Sequence, residues 1–220
     1  MKNNFPEGSF AAWYGEDLTG QNYEGDLNCS GQNLMSLFGC PSTVTGYFDC
    51  SSNELTSLDG SPKEVGGSFY CYDNQLTSLK GAPEKIEGYF NCSNNKLTSL
   101  KGAPKEVGGN FHCYNNKLTS LKSAPEKVEG DLYCYNNKLT SLEGSPKEIS
   151  GNFDCSYNQL TSLEGSPKEV TRFFDCSDNK LTSLEGAPEK VLGWLDCSHN
   201  KLTSLDGIGE VKGEIYSDLN

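Results

Sequence analysis

Short stretches in which apolar and polar residues alternate recur every 21 residues along most of the chain. In a typical unit, Val65, Gly67 and Phe69 occupy every second position before Cys71, and Gly66, Ser68 and Tyr70 stand between them. Period-two alternation predicts a β-strand that buries one face. The unit repeats nine times without insertion or deletion, in register with Cys29, Cys50, Cys71, Cys92, Cys113, Cys134, Cys155, Cys176 and Cys197.

The segment after each cysteine predicts a turn and a return to the core. An asparagine follows eight of the nine cysteines by three residues, as Asn74 follows Cys71, and we expect its amide to bond backbone groups in a ladder between coils. Leu76 and Leu79 of the next stretch are predicted to point inward. The Gly-x-Pro stretch that begins at Gly81 then closes the coil in an extended or turn conformation, because proline fixes φ and lacks a donor.

One coil alone cannot form a core, because it supplies only about five inward side chains. Stacked coils would share a continuous core, with parallel strands about 4.8 Å apart. The spacing leaves no room for a helix in any coil. The pattern therefore predicts a β-rich solenoid with one parallel β-sheet rather than a globular domain.

The consensus resembles a known repeat family. It reads Pro-x-x-Val-x-Gly-x-Phe-x-Cys-x-x-Asn-x-Leu-Thr-Ser-Leu-x-Gly-x over residues 23–220 and is similar to leucine-rich repeats of the short bacterial and bacteriophage type, whose effectors contain Asn-x-Leu-Thr-x-Leu-Pro. Here Val and Phe are four residues apart rather than three, and Leu-x-Gly-x-Pro replaces Leu-Pro. The resemblance implies a right-handed horseshoe of the α/β solenoid class, without helices, whose concave strand face binds partners that are usually proteins. It implies no catalytic residues.

The two ends differ from the repeats, and we expect three segments: an N-terminal cap over residues 1–22, the solenoid over 23–206 and a shortened last repeat over 207–220. The last repeat would leave a strand edge uncovered, so we expect it to pair with a second copy of the chain or to continue into a longer protein. The cap is predicted to cover the first coil with Phe5, Phe10, Trp13, Tyr14 and Leu18.

The charge balance excludes several kinds of partner. Thirty acidic and 18 basic residues give a formal net charge of -12, which repels nucleic-acid phosphates and anionic lipids. Residues 1–13 lack an apolar run of signal-peptide length, and no run approaches the roughly 18 apolar residues of a membrane span. We therefore expect a cytoplasmic protein, bacterial or from a phage-infected host, that binds neither nucleic acid directly nor membranes.

The cysteine column is interpreted as core rather than as a chemical site. In-register thiols about 4.8 Å apart with parallel side chains fit disulfide geometry poorly, no Cys-x-x-Cys is present, and thiols in an apolar core have raised pKa values that disfavour metal binding. A reduced column fits a reducing compartment, and Cys40, off the column, is taken as passive. Alternation places His112 on the opposite face from Cys113, and hydrolase, zinc-protease and P-loop signatures are lacking. We expect neither catalysis nor a metal or other cofactor.

The residues one and three positions before each cysteine and one after it are predicted to project away from the core, on the concave face. This face is aromatic and acidic and contains no Lys or Arg. Exposed aromatic clusters usually mark interfaces, although stacked tyrosines could also serve only to stabilise a sheet. The candidate partner-binding residues are Tyr47, Tyr70, Tyr72, Tyr89, His112, Tyr114, Tyr133, Tyr135, Asp154, Asp175, Asp196, Phe173 and Trp194.

Three aspartates of this face would stand one strand spacing apart. The charges of Asp154, Asp175 and Asp196 should repel unless a basic partner, a cation such as calcium or protonation relieves them. A basic partner is the simplest relief. Arg172, which replaces a glycine of the other full coils, is expected either to pair with Asp154 or Asp175 or to distort its coil.

Three functions remain open on the sequence. The leading hypothesis is a protein-protein interaction module that binds a partner with a basic surface through the aromatic and acidic face. The first alternative is an acidic mimic of nucleic acid that inhibits a DNA-binding protein, and its affinity would fall steeply with salt. The second is a carbohydrate-binding solenoid that uses the Tyr and Trp side chains, and free sugars would compete with its ligand.

Overall fold

Every coil contributes two very short strands, which form two parallel ten-stranded sheets in the computed structural model of residues 5–219. In spatial order, the first sheet consists of β1 (Asn22–Tyr23), β3 (Thr43–Val44), β5 (Glu64–Val65), β7 (Lys85–Ile86), β9 (Glu106–Val107), β11 (Lys127–Val128), β13 (Glu148–Ile149), β15 (Glu169–Val170), β17 (Lys190–Val191) and β19 (Glu210–Val211). The second consists of β2 (Leu27–Asn28), β4 (Phe48–Asp49), β6 (Phe69–Tyr70), β8 (Phe90–Asn91), β10 (Phe111–His112), β12 (Leu132–Tyr133), β14 (Phe153–Asp154), β16 (Phe174–Asp175), β18 (Leu195–Asp196) and β20 (Ile215–Tyr216).

The prediction of one sheet is therefore wrong, although the solenoid itself is confirmed. A bend over residues 66–68 separates β5 from β6. The second bend residue, Gly67, is a glycine in eight of the nine full coils, and a Cβ on it would lie 2.9 Å from the Tyr47 backbone nitrogen, so the coils lie close together there. Side chains nevertheless continue to alternate, which is why the sequence pattern reads as one strand.

The inward side chains of successive coils form one continuous core, as predicted. Val107, Phe111, Cys113, Leu118 and Leu121 of the fifth coil are all at most 1% exposed. Along the core the phenylalanines contact one another, with ring centroids 5.3–5.8 Å apart for the pairs Phe48–Phe69, Phe69–Phe90, Phe90–Phe111 and Phe153–Phe174.

The predicted asparagine ladder is present in every full coil from the second to the ninth. Asn116 is representative: its Nδ2 donates to the carbonyl oxygens of Cys92 and Cys113, each at 3.1 Å, and its Oδ1 accepts the N–H of Leu97 at 3.0 Å. The amide thus joins its own coil to the preceding one. Asn116 is buried, so these bonds satisfy backbone groups that water does not reach.

The Gly-x-Pro segment closes the coil as a tight turn. Ala82 N–H donates to the Leu79 carbonyl at 3.0 Å, and Gly81 between them has a φ of +102°. A Cβ on Gly81 would also lie 2.5 Å from the carbonyl oxygen of Leu58. Glycine is therefore favoured both by the turn and by the adjacent coil, although Ser123 takes its place in the fifth coil with a φ of +67°.

The N-terminal end is covered by a five-residue helix, α1 (Phe10–Tyr14), whose Phe10 N–H donates to the Ser36 carbonyl of the first coil. Phe10 and Leu18 are buried there, as predicted, whereas Trp13 and Tyr14 are about two-fifths exposed and pack against the Phe10 ring. Phe5 is half-buried. Residues 5–219 include no helix with the length and apolar character that a membrane crossing requires.

Candidate functional site

One side of the second sheet carries the residues that the sequence analysis proposed for binding. Phe69 and Cys71 point into the core, and Tyr70 between them is half-exposed on the opposite side. The strand pairing then aligns the equivalent residue of every coil, for example Tyr133 with Asp154 and Asp154 with Asp175. We call the surface formed by the residues one and three positions before and one after each column cysteine, together with Tyr216 of β20, the Tyr/Asp face.

The aromatic residues of the Tyr/Asp face form two clusters. The first joins Tyr47 to Tyr70 and Tyr70 to Tyr72, with ring centroids 6.3 and 6.4 Å apart. The second is larger and runs obliquely over six coils, of which all but the seventh contribute a ring. Its pairs are His112–Tyr133 at 4.9 Å, Tyr114–Tyr135 at 4.5 Å, Tyr133–Phe173 at 6.4 Å, Phe173–Trp194 at 4.3 Å and Trp194–Tyr216 at 5.9 Å.

Tyr89 lies apart from both clusters. Within residues 5–219 its ring is in contact with no other aromatic ring of the face, and 49% of the residue is exposed. Its coil carries Asn91 and Ser93, which separate the two clusters. The structure therefore groups twelve of the thirteen candidate residues into two aromatic clusters and the row of Asp154, Asp175 and Asp196, and leaves Tyr89 alone.

The face also includes residues that the sequence analysis missed. Tyr216 extends the second cluster, and Asp49 occupies the same position in the second coil as Asp154 does in the seventh. Tyr216 could have been found, because Ile215 continues the strand pattern and Tyr216 follows it.

In six coils the residue before the cysteine is Asp or Asn, and the residue after it is then always Ser. The carboxylate bonds this serine: Oδ1 of Asp175 accepts the Ser177 N–H at 2.9 Å and its O–H at 2.7 Å. The other five pairs are Asn28–Ser30, Asp49–Ser51, Asn91–Ser93, Asp154–Ser156 and Asp196–Ser198. In the remaining three coils both positions are aromatic, as in His112 and Tyr114. The coils are therefore of two kinds, polar and aromatic.

The position three residues before the cysteine shows the same contrast. Oδ1 of Asn110 accepts the N–H of Asp131 at 2.9 Å, and Oδ1 of Asp131 accepts that of Asn152 at 2.8 Å, so polar residues there bond the backbone of the next coil. Phe173 and Trp194 carry no such acceptor and end this ladder. Aromatic residues on the face thus replace side chains that stabilise the backbone in other coils.

Burial raises the pKa of two of the aligned aspartates. The pKa of Asp154 lies above its ordinary value, and that of Asp175 rises to about 6; burial is the main cause, and the neighbouring carboxylates add to it. The hydrogen bonds from Ser156 and Ser177 oppose the shift. The repulsion expected from the sequence is therefore real and is only partly offset within the chain.

The cysteine column is buried in the core, as interpreted from the sequence. All ten cysteines, including Cys40, are free thiols inside the structure. Burial raises their pKa values, to about 11 for Cys197 at the more open end. The Cys50 thiol donates to the Tyr70 carbonyl at 3.4 Å, an interaction that recurs along the column. Neutral, hydrogen-bonded thiols of this kind are poor nucleophiles and poor metal ligands.

Arg172 forms neither of the ion pairs that were expected. Among the ion pairs of residues 5–219, none involves Arg172, and its side chain is exposed. Its coil is also undistorted, because Phe174 and Asp175 stay in register with the adjacent strands and Gly193 N–H donates to the Arg172 carbonyl at 2.8 Å. An outward side chain at this position is accommodated without a bulge.

Asp175 gives a testable pH dependence. Its pKa is about 6 in the folded chain against an ordinary value of 3.8, so the folded state binds the proton more tightly. Asp175 therefore stabilises the fold fully below pH about 4 and loses this contribution as the pH rises through about 6. We expect D175N to match the wild type near pH 4 and to be more stable at pH 7 by about 1–2 kcal/mol after solvent screening.

Urea melts of D175N and the wild type at pH 4 and pH 7 measure this difference. The Asn side chain keeps the serine bonds, as Asn91 shows with Ser93 at 2.7 Å, so the comparison isolates the charge. A constant difference across the pH range would contradict the assignment.

The coil geometry decides how the repeat is classified. Two inward leucines per coil, an asparagine ladder between coils and stacked parallel strands all recur at the 21-residue spacing. The fold is a solenoid of stacked 21-residue coils whose strands run parallel. No helix occupies the return segment of any coil between residues 22 and 219.

Comparisons with known proteins find similar chains among solved structures, but none among family models or curated proteins. No family model matches the chain, and no curated protein matches it significantly. Among solved structures, it is similar to the functional domain of InlJ from Listeria monocytogenes, which includes a cysteine ladder, with a TM-score of 0.45 and 17% identity over 88% of this chain and 63% of that one. It is also similar to YopM from Yersinia enterocolitica, with a TM-score of 0.31 and 17% identity over 89% and 64%. The chain spans less than two thirds of either structure.

Proposed function

We propose that this solenoid is a protein-interaction module that binds a partner protein through the Tyr/Asp face. The observation that carries the proposal is the replacement of backbone-bonding polar residues by aromatic ones in one oblique band. The band begins at Tyr114 and Tyr135 and passes through Tyr133 to Phe173 and Trp194.

Stabilisation of the sheet alone accounts poorly for this band. Stacking for stability would favour an unbroken column at one position, because in-register neighbours are the closest pairs. Instead, the aromatic residues change position between the sixth and eighth coils, from the residues beside the cysteine to the one three before it. The contact between Tyr133 and Phe173 spans two coils. The aromatic residues thus form a continuous surface although the side chains that they replace would have bonded the backbone. This favours a role in binding a partner over a role in stabilising the sheet.

The chemistry of the band fits a protein surface. Tyrosine and tryptophan contribute large contact areas at low cost in conformational entropy, and their polar groups can bond at the rim of an interface. The Tyr133 hydroxyl is already held by Asp131 and Asn152, each at 3.2 Å, so this part of the face is ordered before binding. Preorganisation of this kind increases affinity.

A capture experiment tests the proposal. The immobilised wild-type chain is compared with an on-face variant, Y72S/Y114S/Y135S, and with an off-face variant, Y14S/F38S/Y157S, whose residues are all at least 40% exposed. In the six polar coils serine is the residue directly after the cysteine, which is the position of all three substituted tyrosines, so the on-face variant should fold. Both variants are checked by circular dichroism.

We expect the wild type and the off-face variant to capture the same protein, and the on-face variant to lose it. Equal capture by all three chains would contradict the proposal. Release of the captured species by free sugars, or capture of carbohydrate alone, would instead support the carbohydrate-binding alternative.

A further inference from the structure

Three aspartates form a strip with an aromatic border at the C-terminal half of the Tyr/Asp face. Asp154, Asp175 and Asp196 are in register on β14, β16 and β18, and we call them the Asp strip. Tyr133 adjoins one end of the strip and Tyr216 the other. Phe173 and Trp194 lie along one edge, since each precedes a strip aspartate by two residues on the same side of the strand.

The fold does not require the negative charge of the strip. Each aspartate bonds its serine through Oδ1, and Asn28 and Asn91 make the same bonds with Ser30 and Ser93 at 2.8 and 2.7 Å. Asparagine would therefore satisfy the coil without a charge. Burial of Asp154 and Asp175, with a smaller contribution from the neighbouring carboxylates, instead raises their pKa values, so their charges oppose folding. Groups that oppose stability in this way are typical of binding surfaces.

The strip keeps carboxylate oxygens available to a partner. The hydrogen bonds found for these aspartates within residues 5–219 all use Oδ1, and Oδ2 is not among the buried unpaired atoms of that range. None of the ion pairs in the same range involves a strip aspartate. The Tyr/Asp face contains no Lys or Arg, so the chain itself provides no neutralising group on this surface.

We infer that the Asp strip and its aromatic border bind an extended basic segment of the partner protein, whose Lys or Arg side chains lie over Asp154, Asp175 and Asp196. This inference rests on the proposed function and specifies the chemistry of the partner. Charge complementarity carries it: the strip lacks a counter-charge, and the bordering rings can pack against the aliphatic stems of long basic side chains.

A metal ion fits the strip less well than a basic side chain. Calcium takes six to eight oxygen ligands. In the described part of the chain, no group of three or more Asp, Glu, His or Cys residues is placed to hold one ion. The carboxylates stand in a row at strand spacing, which suits several separate cationic groups better than one ion.

Calorimetric titration with a defined peptide tests the inference. The probe is an octapeptide of alternating Arg and Ser, which presents its guanidinium groups on one side when extended, and the control peptide has citrulline in place of Arg. The strip variant is D154N/D175N/D196N. Its matched control is E143Q/E164Q/E185Q, which removes the same number of charges from an exposed column outside the face.

We expect the wild type to bind the Arg peptide but not the citrulline peptide. The strip variant should bind at least about tenfold more weakly, and the matched control should stay within about twofold of the wild type. Equal weakening in both variants would show that only the net charge matters and would overturn the inference. Absence of binding by the wild type would overturn it as well.

The captured protein separates this inference from the proposed function. If the on-face tyrosine variant loses the captured protein but the strip variant binds it like the wild type, the proposed function stands and the basic-segment inference fails. If the strip variant loses both the Arg peptide and the captured protein while the on-face tyrosine variant keeps the protein, the inference stands and the tyrosine interface fails.

Discussion

Alanine in place of Asn116 is expected to destabilise the solenoid by about 3–5 kcal/mol. The substitution removes an amide that bonds two coils at once and leaves the buried Leu97 N–H without a partner. The Cys92 and Cys113 carbonyls keep one bond each, from Asn95 and Asn137, and each of the three lost bonds contributes about 1 kcal/mol. Each unsatisfied buried group costs about 1–3 kcal/mol. Because each coil of a solenoid contacts only its neighbours, a defect in the middle weakens the coupling between the two halves.

The adjacent residue provides a matched control for Asn116. Asn115 is also an asparagine of the turn, but its side chain bonds only those of Asn94 and Asn136, outside the core. Its φ of +52° suits glycine, so N115G should cost less than about 1 kcal/mol. Urea denaturation followed by circular dichroism measures both variants. Similar losses for N116A and N115G would show that the ladder does not hold the coils together.

The sequence predicted the parts of the fold that depend on residue type at a fixed spacing. Burial of Phe69 and Cys71 follows from their alternation with polar residues, and the ladder follows from an amide at a constant distance from the cysteine. Both features are local and repeat in every coil, so their inference needs no knowledge of tertiary packing.

The division into two sheets could not be predicted in the same way. Side chains continue to alternate across residues 66–68 while the backbone bends, so the pattern of apolar residues is unchanged. The signal that distinguishes the two cases is the close approach of coils at the recurring glycine, Gly67 in this coil, which becomes visible only when the coils are stacked.

The composition of the candidate site was predicted better than its arrangement. Alternation placed Asp175 and Tyr133 on one face, but it did not reveal that Asp175 bonds Ser177 or that Tyr89 stands apart from both clusters. The bond between Asp175 and Ser177 could have been found in the sequence, because a serine follows the cysteine in every coil in which Asp or Asn precedes it. The separation of Tyr89 follows only when the coils are placed in register, because Tyr89 then lies between Ser68 and Asn110 of the adjacent coils.

Substitution of the three tyrosines that follow column cysteines should have the largest effect on binding. Tyr114 and Tyr135 are parallel at 4.5 Å in the larger cluster, and Tyr72 belongs to the smaller one. Removal of the three rings from the proposed interface should weaken partner binding by at least about 100-fold, or about 2.8 kcal/mol, which is the range of a few aromatic hot-spot residues. The stability of the chain should change much less, since serine is the usual residue at this position.

The most direct test of the Tyr/Asp face as the binding surface is the dissociation constant of the purified captured partner, measured by calorimetry for three chains. These are the wild type, Y72S/Y114S/Y135S and Y14S/F38S/Y157S. We predict a loss of at least about 100-fold for the first variant and a change of less than about twofold for the second. Unchanged affinity in the on-face variant, or a larger loss in the off-face variant, would contradict the account.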